Sequence, residues 1–161
     1  MVDLGELVRD VVGQFEERGE LTTTSAQVRV ESAGAIVGHW DRLRLEQVVT
    51  NLLSNALKYG EGKPVDIRVT ATESAGIVQV IDHGIGIDAR YLARIFGRFE
   101  RAISSRQYSG LGLGLYITRQ ILEAMHGDIQ VVSALGQGST FTVTLPLARH
   151  KDVALRKDDR R

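Results

Sequence analysis

Asparagine is a mediocre helix former. Yet residues 51–60, Asn-Leu-Leu-Ser-Asn-Ala-Leu-Lys-Tyr-Gly, place Asn51 and Asn55 four apart inside an apolar helical pattern. At about 100° per residue, Asn51, Asn55 and Lys58 fall on one narrow strip, with Tyr59 at its border and the leucines and valines on the other side. A merely solvated face would favour Glu, Lys, Gln and Arg, which form helices better. Amide oxygens are neutral, hard ligands of the kind Mg²⁺ accepts, and Mg²⁺ is commonly held by few protein groups plus substrate phosphates. Lys58 adds a point charge suited to phosphate. The strip therefore suggests a Mg²⁺–nucleotide site.

Two glycine segments offer complementary chemistry. In Asp82-His-Gly84-Ile-Gly86 an aspartate closes a strand-like run, and alternate glycines allow close backbone approach. A carboxylate only accepts hydrogen bonds, so Asp82 suits the exocyclic amine of adenine and disfavours guanine. An ordinary turn can have the same composition. Gly110, Gly112 and Gly114 precede a helical pattern. They match neither a Walker A loop nor a dinucleotide-binding glycine fingerprint. Glycines opening a helix expose backbone N–H groups at the positive end of its dipole, an anion site, or else serve a close-packed helix cap.

Elements that could position these groups follow from periodicity. A helix is expected over 2–18, with Asp3 and Glu6 as a capping-box variant and Gly19 at its end. Strand-like runs follow in "AQVRVES" and "AIVGHW", then the asparagine-bearing helix from about Asp41 to Tyr59. "KPVDIRVTAT" and "GIVQVID" read as strands, the second ending at Asp82. A third helix starts near 112–114 and ends at "HG", with Gly127 as its C′ residue. "DIQVVSA", a "LGQG" turn and "STFTVTLPL" form a closing hairpin. The polar stretch 102–109 reads as a mobile loop, and the charged end "ARHKDVALRKDDRR" as a solvated tail or linker. Helices and strands interleave around one sheet, so the class is α/β or α+β.

The chain has 161 residues, 43% hydrophobic and 25% charged, with formal net charge zero and no cysteine. That size and composition fit one packed domain. Neutrality argues against bulk nucleic-acid binding. Absence of cysteine rules out disulfides and thiolate metal sites and fits a reducing compartment. No run approaches the length needed to span a bilayer and no signal-peptide core is visible. A cytoplasmic location without membrane contact is expected, even if a parent protein is membrane-anchored.

The order of segments resembles the catalytic and ATP-binding domain of sensor histidine kinases, in the wider group that includes gyrase, Hsp90 and MutL ATPases. Asn51–Tyr59 is similar to the family's N box, Asp82–Gly86 to its first glycine box, Ile95–Arg101 to its F box and Gly110–Gly114 to its second glycine box. The likeness covers about residues 2–148, leaving 149–161 as the tail. It implies an α/β sandwich, a mixed β-sheet with helices on one face (the Bergerat-type fold), and nucleotide under a flexible lid at 100–111. It further implies that Asn55 ligates Mg²⁺, with Asn51 at the same metal and phosphates. Lys58 would approach the phosphates, Tyr59 would pack beside adenine, and Asp82 would bind the adenine amine. Gly84 and Gly86 would shape the base pocket, and Arg101 would face the γ-phosphate. Gly110, Gly112 and Gly114 would let the backbone meet the phosphates.

By the same resemblance the chain is an ATP-dependent protein-histidine kinase module. It would donate the γ-phosphoryl group to a histidine on a dimerisation domain absent from this chain, with a response regulator receiver domain downstream. Leu111 stands where the family often has Thr or Ser, and His83 where Asn or Thr is commoner; His83 reads as a bystander. None of His39, His83, His126 or His150 has the flanking residues of a phosphoacceptor, so the lone chain is not expected to label itself, and because the family dimerises through the absent hairpin it is expected to be a monomer. Gyrase-type hydrolysis needs a Glu at the position of Asn51. A serine kinase of anti-sigma type and a binding-only module are the remaining alternatives.

Overall fold

The computed structural model describes residues 1–98 and 113–147. After a two-residue strand β1 (Val2–Asp3), helix α1 (Leu4–Glu17) is capped by Asp3, whose carboxylate accepts from the Gly5 and Glu6 amides at 2.8 and 3.2 Å. Such a cap stabilises a helix by about 1 kcal/mol. The helix stops at Arg18, and Gly19 takes a left-handed φ of 71°. A five-residue helix α2 (Glu20–Thr24) then leads to β2 (Val28–Ser32) and β3 (Val37–Gly38). β3 pairs with β1 in a small ribbon.

The long helix α3 (Arg42–Tyr59) is capped by Asp41, which accepts from the Arg44 amide at 3.2 Å. β4 (Val65–Ala71) and β5 (Ala75–Asp82) form an antiparallel pair, and α4 (Gly114–Ala124) precedes the hairpin of β6 (Asp128–Ser133) and β7 (Ser139–Pro146). The main sheet has the order β2-β4-β5-β7-β6, with only β2 and β4 parallel.

Period-two alternation decides which sheet face is covered. Val65, Ile67 and Val69 of β4, Val78 and Val80 of β5, and Phe141, Val143 and Leu145 of β7 are buried. They pack with Leu7, Val8 and Val11 of α1, Leu45, Leu52 and Leu53 of α3, and Leu122 of α4 in one core. Each such side chain contributes roughly 1.5–3 kcal/mol by leaving water. This is the expected mixed sheet with helices on one face. Among the described residues no helix is long and apolar enough to cross a membrane.

One local expectation needs correction, and one element went unannounced in the sequence. The left-handed residue closing α4 is His126, at φ 59°, not Gly127. A Cβ on Gly127 would lie 2.7 Å from the Thr144 carbonyl oxygen, so close approach to β7, not a turn conformation, calls for glycine there. That element, α2, has no buried residue and lacks the apolar periodicity that would mark it in the sequence.

Candidate functional site

The amide strip of α3 lies as projected. Leu52, Leu53, Ala56 and Leu57 are buried, Asn51, Asn55 and Tyr59 half-buried, and Lys58 exposed. Asn51 faces α4: its Nδ2 donates to the Gly114 carbonyl oxygen and to Thr118 Oγ1, each at 3.3 Å. Residues 63 and 67 positions apart thus join the strip to the first turn of α4. Among the described residues no side chain caps that turn at Leu113. Gly114 is helical, and a Cβ there would meet nothing within 4 Å among the described residues.

Asp82 ends β5, 6% exposed, opposite Ser139 of β7. The Gly84 amide donates to its Oδ1 at 3.0 Å. Burial pushes the carboxyl above its ordinary value, while the Gly84 and Ser139 backbone N–H groups and the neighbouring His83 pull it part of the way back. The net upward direction marks a carboxylate held in a poorly solvated place, a common property of functional acids.

The glycines after Asp82 let backbone meet backbone. A Cβ on Gly84 would overlap the Tyr59 carbonyl oxygen, to which the Ile85 amide donates at 3.1 Å. Gly86, at φ 69°, lies against the Ala134 carbonyl in the β6–β7 turn. The Ile87 amide donates to Ser133 Oγ at 2.8 Å, and Ser133 Oγ lies 2.8 Å from both the Gly138 carbonyl oxygen and Ser139 Oγ. The loop is therefore clasped between the end of α3 and the closing hairpin, which places Asp82 beside Tyr59 and Gly60. His83 points outward, its Nε2 3.5 Å from Asp66 Oδ2 on the exposed side.

Of the residues picked out from sequence, the fold brings together Asn51 with Gly114, and Asp82 and Gly84 with the Tyr59 end of α3. Arg101, Gly110, Gly112, the expected lid and the tail lie outside the described residues. Thr118 and Ser133 were not picked out. Thr118 falls four residues after Gly114, on the same helical face, a spacing that could have singled it out.

No group of three or more His, Cys, Asp or Glu side chains clusters among the described residues. The amide oxygens that the strip carries are hard, neutral donors, and together with substrate phosphates they would fit Mg²⁺. A buried acceptor-only group thus lies near one end of α3, and the start of α4 lies across from Asn51. Residues 40–149 match the family described as histidine kinase-, DNA gyrase B-, and HSP90-like ATPase, and the chain belongs to it.

The chain is 38% identical over 147 residues to the circadian input-output histidine kinase CikA of Synechococcus elongatus, covering 89% of this chain and 20% of that protein. It is 40% identical over 109 residues to the sensor histidine kinase RcsC of Escherichia coli, covering 66% of this chain and 12% of RcsC. It thus spans a fifth or less of these curated relatives' length. Among solved structures, the catalytic domain of histidine kinase ThkA superposes with a TM-score of 0.77 at 27% identity, covering 89% of this chain and 93% of that one. Full-length ShkA, solved in complex with AMPPNP, gives 0.77 at 29% identity, covering 91% of this chain and 30% of ShkA.

Proposed function

We propose that this chain is the ATP-binding, phosphoryl-donating module of a two-component histidine kinase working in the cytoplasm. It holds Mg²⁺·ATP and gives the γ-phosphoryl group to a histidine on a dimerisation hairpin outside this sequence, from which a response regulator receiver domain takes it. The observation that carries this reading is the burial of Asp82. An acceptor-only carboxylate is kept out of water beside the end of α3, at a cost to the fold that a bound amine would offset. The ATP analogue bound by ShkA supports the same ligand class.

In this reading Asp82 accepts from the adenine amine, and Tyr59 packs on the base side. Asn55 holds Mg²⁺, with Asn51 bordering it. Bound Mg²⁺ supplies charge neutralisation along the phosphates. Lys58 and Arg101 meet phosphate oxygens, and the backbone at Gly110, Gly112 and Gly114 approaches them closely. Catalysis of phosphoryl transfer is then positioning and charge stabilisation. An amide at position 51 cannot deprotonate water, so rapid ATP hydrolysis is not expected.

The test uses γ-labelled ATP with the chain alone and with a histidine-bearing dimerisation hairpin. The expected result is no self-labelling, and an acid-labile, base-stable label on the hairpin. Strong self-labelling, or an acid-stable label, would overturn the histidine-kinase reading and favour a serine acceptor.

A further inference from the structure

Three polar or charged side chains are buried among the described residues: Asp82, Thr118 and Ser139. Asp82 belongs to the base end of the site, and Ser139 shares its hydroxyl with Ser133. Thr118 is different. It is 0% exposed, in the middle of α4, and packing alone would be served by valine, which has the same shape without a hydroxyl to satisfy. Threonine is also no better than valine as a helix former. What the hydroxyl does in this fold is accept from Asn51 Nδ2 at 3.3 Å.

The same nitrogen donates to the Gly114 carbonyl oxygen at 3.3 Å. A backbone carbonyl can only accept, whereas an amide side chain has one donating and one accepting end. The amide of Asn51 must therefore turn its NH₂ toward α4, which leaves its oxygen for the other side. Thr118 makes the second of the two bonds that hold this orientation. Because Gly114 and Thr118 are one turn apart on the same helical face, one nitrogen reaches both and bridges α3 to the first turn of α4.

We propose that Thr118 is a positioning residue for phosphoryl transfer: with the Gly114 carbonyl, its hydroxyl clamps the Asn51 amide nitrogen to α4, aims the amide oxygen at the strip shared with Asn55, and ties the first turn of α4 to the metal-bearing face of α3. This rests on the reading of that strip as the Mg²⁺–phosphate edge. Thr118 touches neither nucleotide nor metal; it acts through Asn51. Losing its hydroxyl loosens the amide without emptying the core, so the deficit falls on the part of nucleotide affinity that Mg²⁺ adds.

The experiment measures ATP affinity of the purified chain with Mg²⁺ and with chelator, for wild type, Thr118→Val, Thr118→Ser and Asn51→Ala, and for Asn51→Ala combined with Thr118→Val. The expected result is a gain from Mg²⁺ that falls about fivefold in Thr118→Val, the size of one ordinary hydrogen bond. Chelator-state affinity should change less than about twofold, Thr118→Ser should restore the gain, and Thr118→Val should have no further effect once Asn51 is alanine. A merely structural threonine would lower affinity with and without Mg²⁺ alike. An undiminished Mg²⁺ gain in Thr118→Val, failure of serine to restore it, or a full effect in the Asn51→Ala background overturns the proposal and leaves the functional reading standing. A wild-type chain that binds ATP equally with and without Mg²⁺ overturns both.

Discussion

The Ile85 amide donates to the Tyr59 carbonyl oxygen at 3.1 Å, fastening the loop after Asp82 to the last turn of α3. Gly84 makes the approach possible, since any Cβ there would overlap that same carbonyl oxygen. Gly84→Ala should destabilise the fold by about 2–3 kcal/mol, the upper part of the roughly 1–3 kcal/mol usual for forced overpacking, and should weaken ATP binding as Asp82 moves with the loop. Gly136 has a positive φ of 75°, but a Cβ there meets nothing within 4 Å among the described residues, so Gly136→Ala should cost only about 1–2 kcal/mol and leave ATP affinity unchanged. Chemical denaturation and nucleotide titration of the two variants decide this. Equal losses in both would show that close packing against Tyr59 is not what Gly84 provides.

Asp82→Asn should trade binding for stability. The folded protein holds the Asp82 proton more tightly than the unfolded chain does, because burial raises the carboxyl above 3.8. The ionised group therefore weakens the fold at neutral pH. As pH falls through the raised folded value toward 3.8, wild type gains stability relative to Asp82→Asn. At pH 7 the variant should melt higher and bind ATP far more weakly. Paired melting curves from pH 7 to pH 4 test the sign; a wild type that loses ground to the variant on acidification would contradict it.

Gly114→Ala should separate fold from ligand in the same way. Gly114 is the first residue of α4, where glycine costs at most about 0.5–1 kcal/mol relative to alanine, and a methyl group here meets nothing within 4 Å among the described residues. The variant should be more stable by up to that amount. In the proposed site the backbone at Gly114 approaches phosphate, so the variant's ATP affinity should fall. A variant that is both more stable and fully competent for ATP would remove Gly114 from the phosphate site.

Asn55→Ala should abolish most of the Mg²⁺-dependent part of ATP affinity, about tenfold or more, while melting within a few degrees of wild type. Its side chain is half-buried on the polar strip, outside the core formed by Leu52, Leu53 and Ala56. Calorimetric titration of ATP, ADP and GTP, with and without Mg²⁺, reads the metal and base assignments together. GTP should bind far worse than ATP, since a site built around one hydrogen bond rejects an analogue that leaves it unpaired. Comparable GTP binding would refute the role of Asp82.

Periodicity alone located α1, α3, β4, β5 and the closing hairpin, because those elements each bury one face and their apolar residues recur at 3.6 or 2. It also separated the amide strip of α3 from its core face, since a helix wheel is a local property of the chain. The order of the sequence boxes carried the family and the nucleotide class. What local sequence could not reveal were relationships across the fold. α2 buries no residue and so leaves no period to read. Trp40 Nε1 donates to the Pro146 carbonyl oxygen at 3.1 Å, 106 residues away, and no local pattern encodes that contact. Gly84 and Gly86 read in sequence as glycines that allow close backbone approach, and the fold supplies the partners, the backbone at Tyr59 and Ala134, which no local pattern encodes. Asn51 was visible as a polar residue on a helix. Its partners, Gly114 and Thr118, were decided only when packing of the apolar faces of α3 and α4 brought two distant stretches of chain to hydrogen-bonding distance.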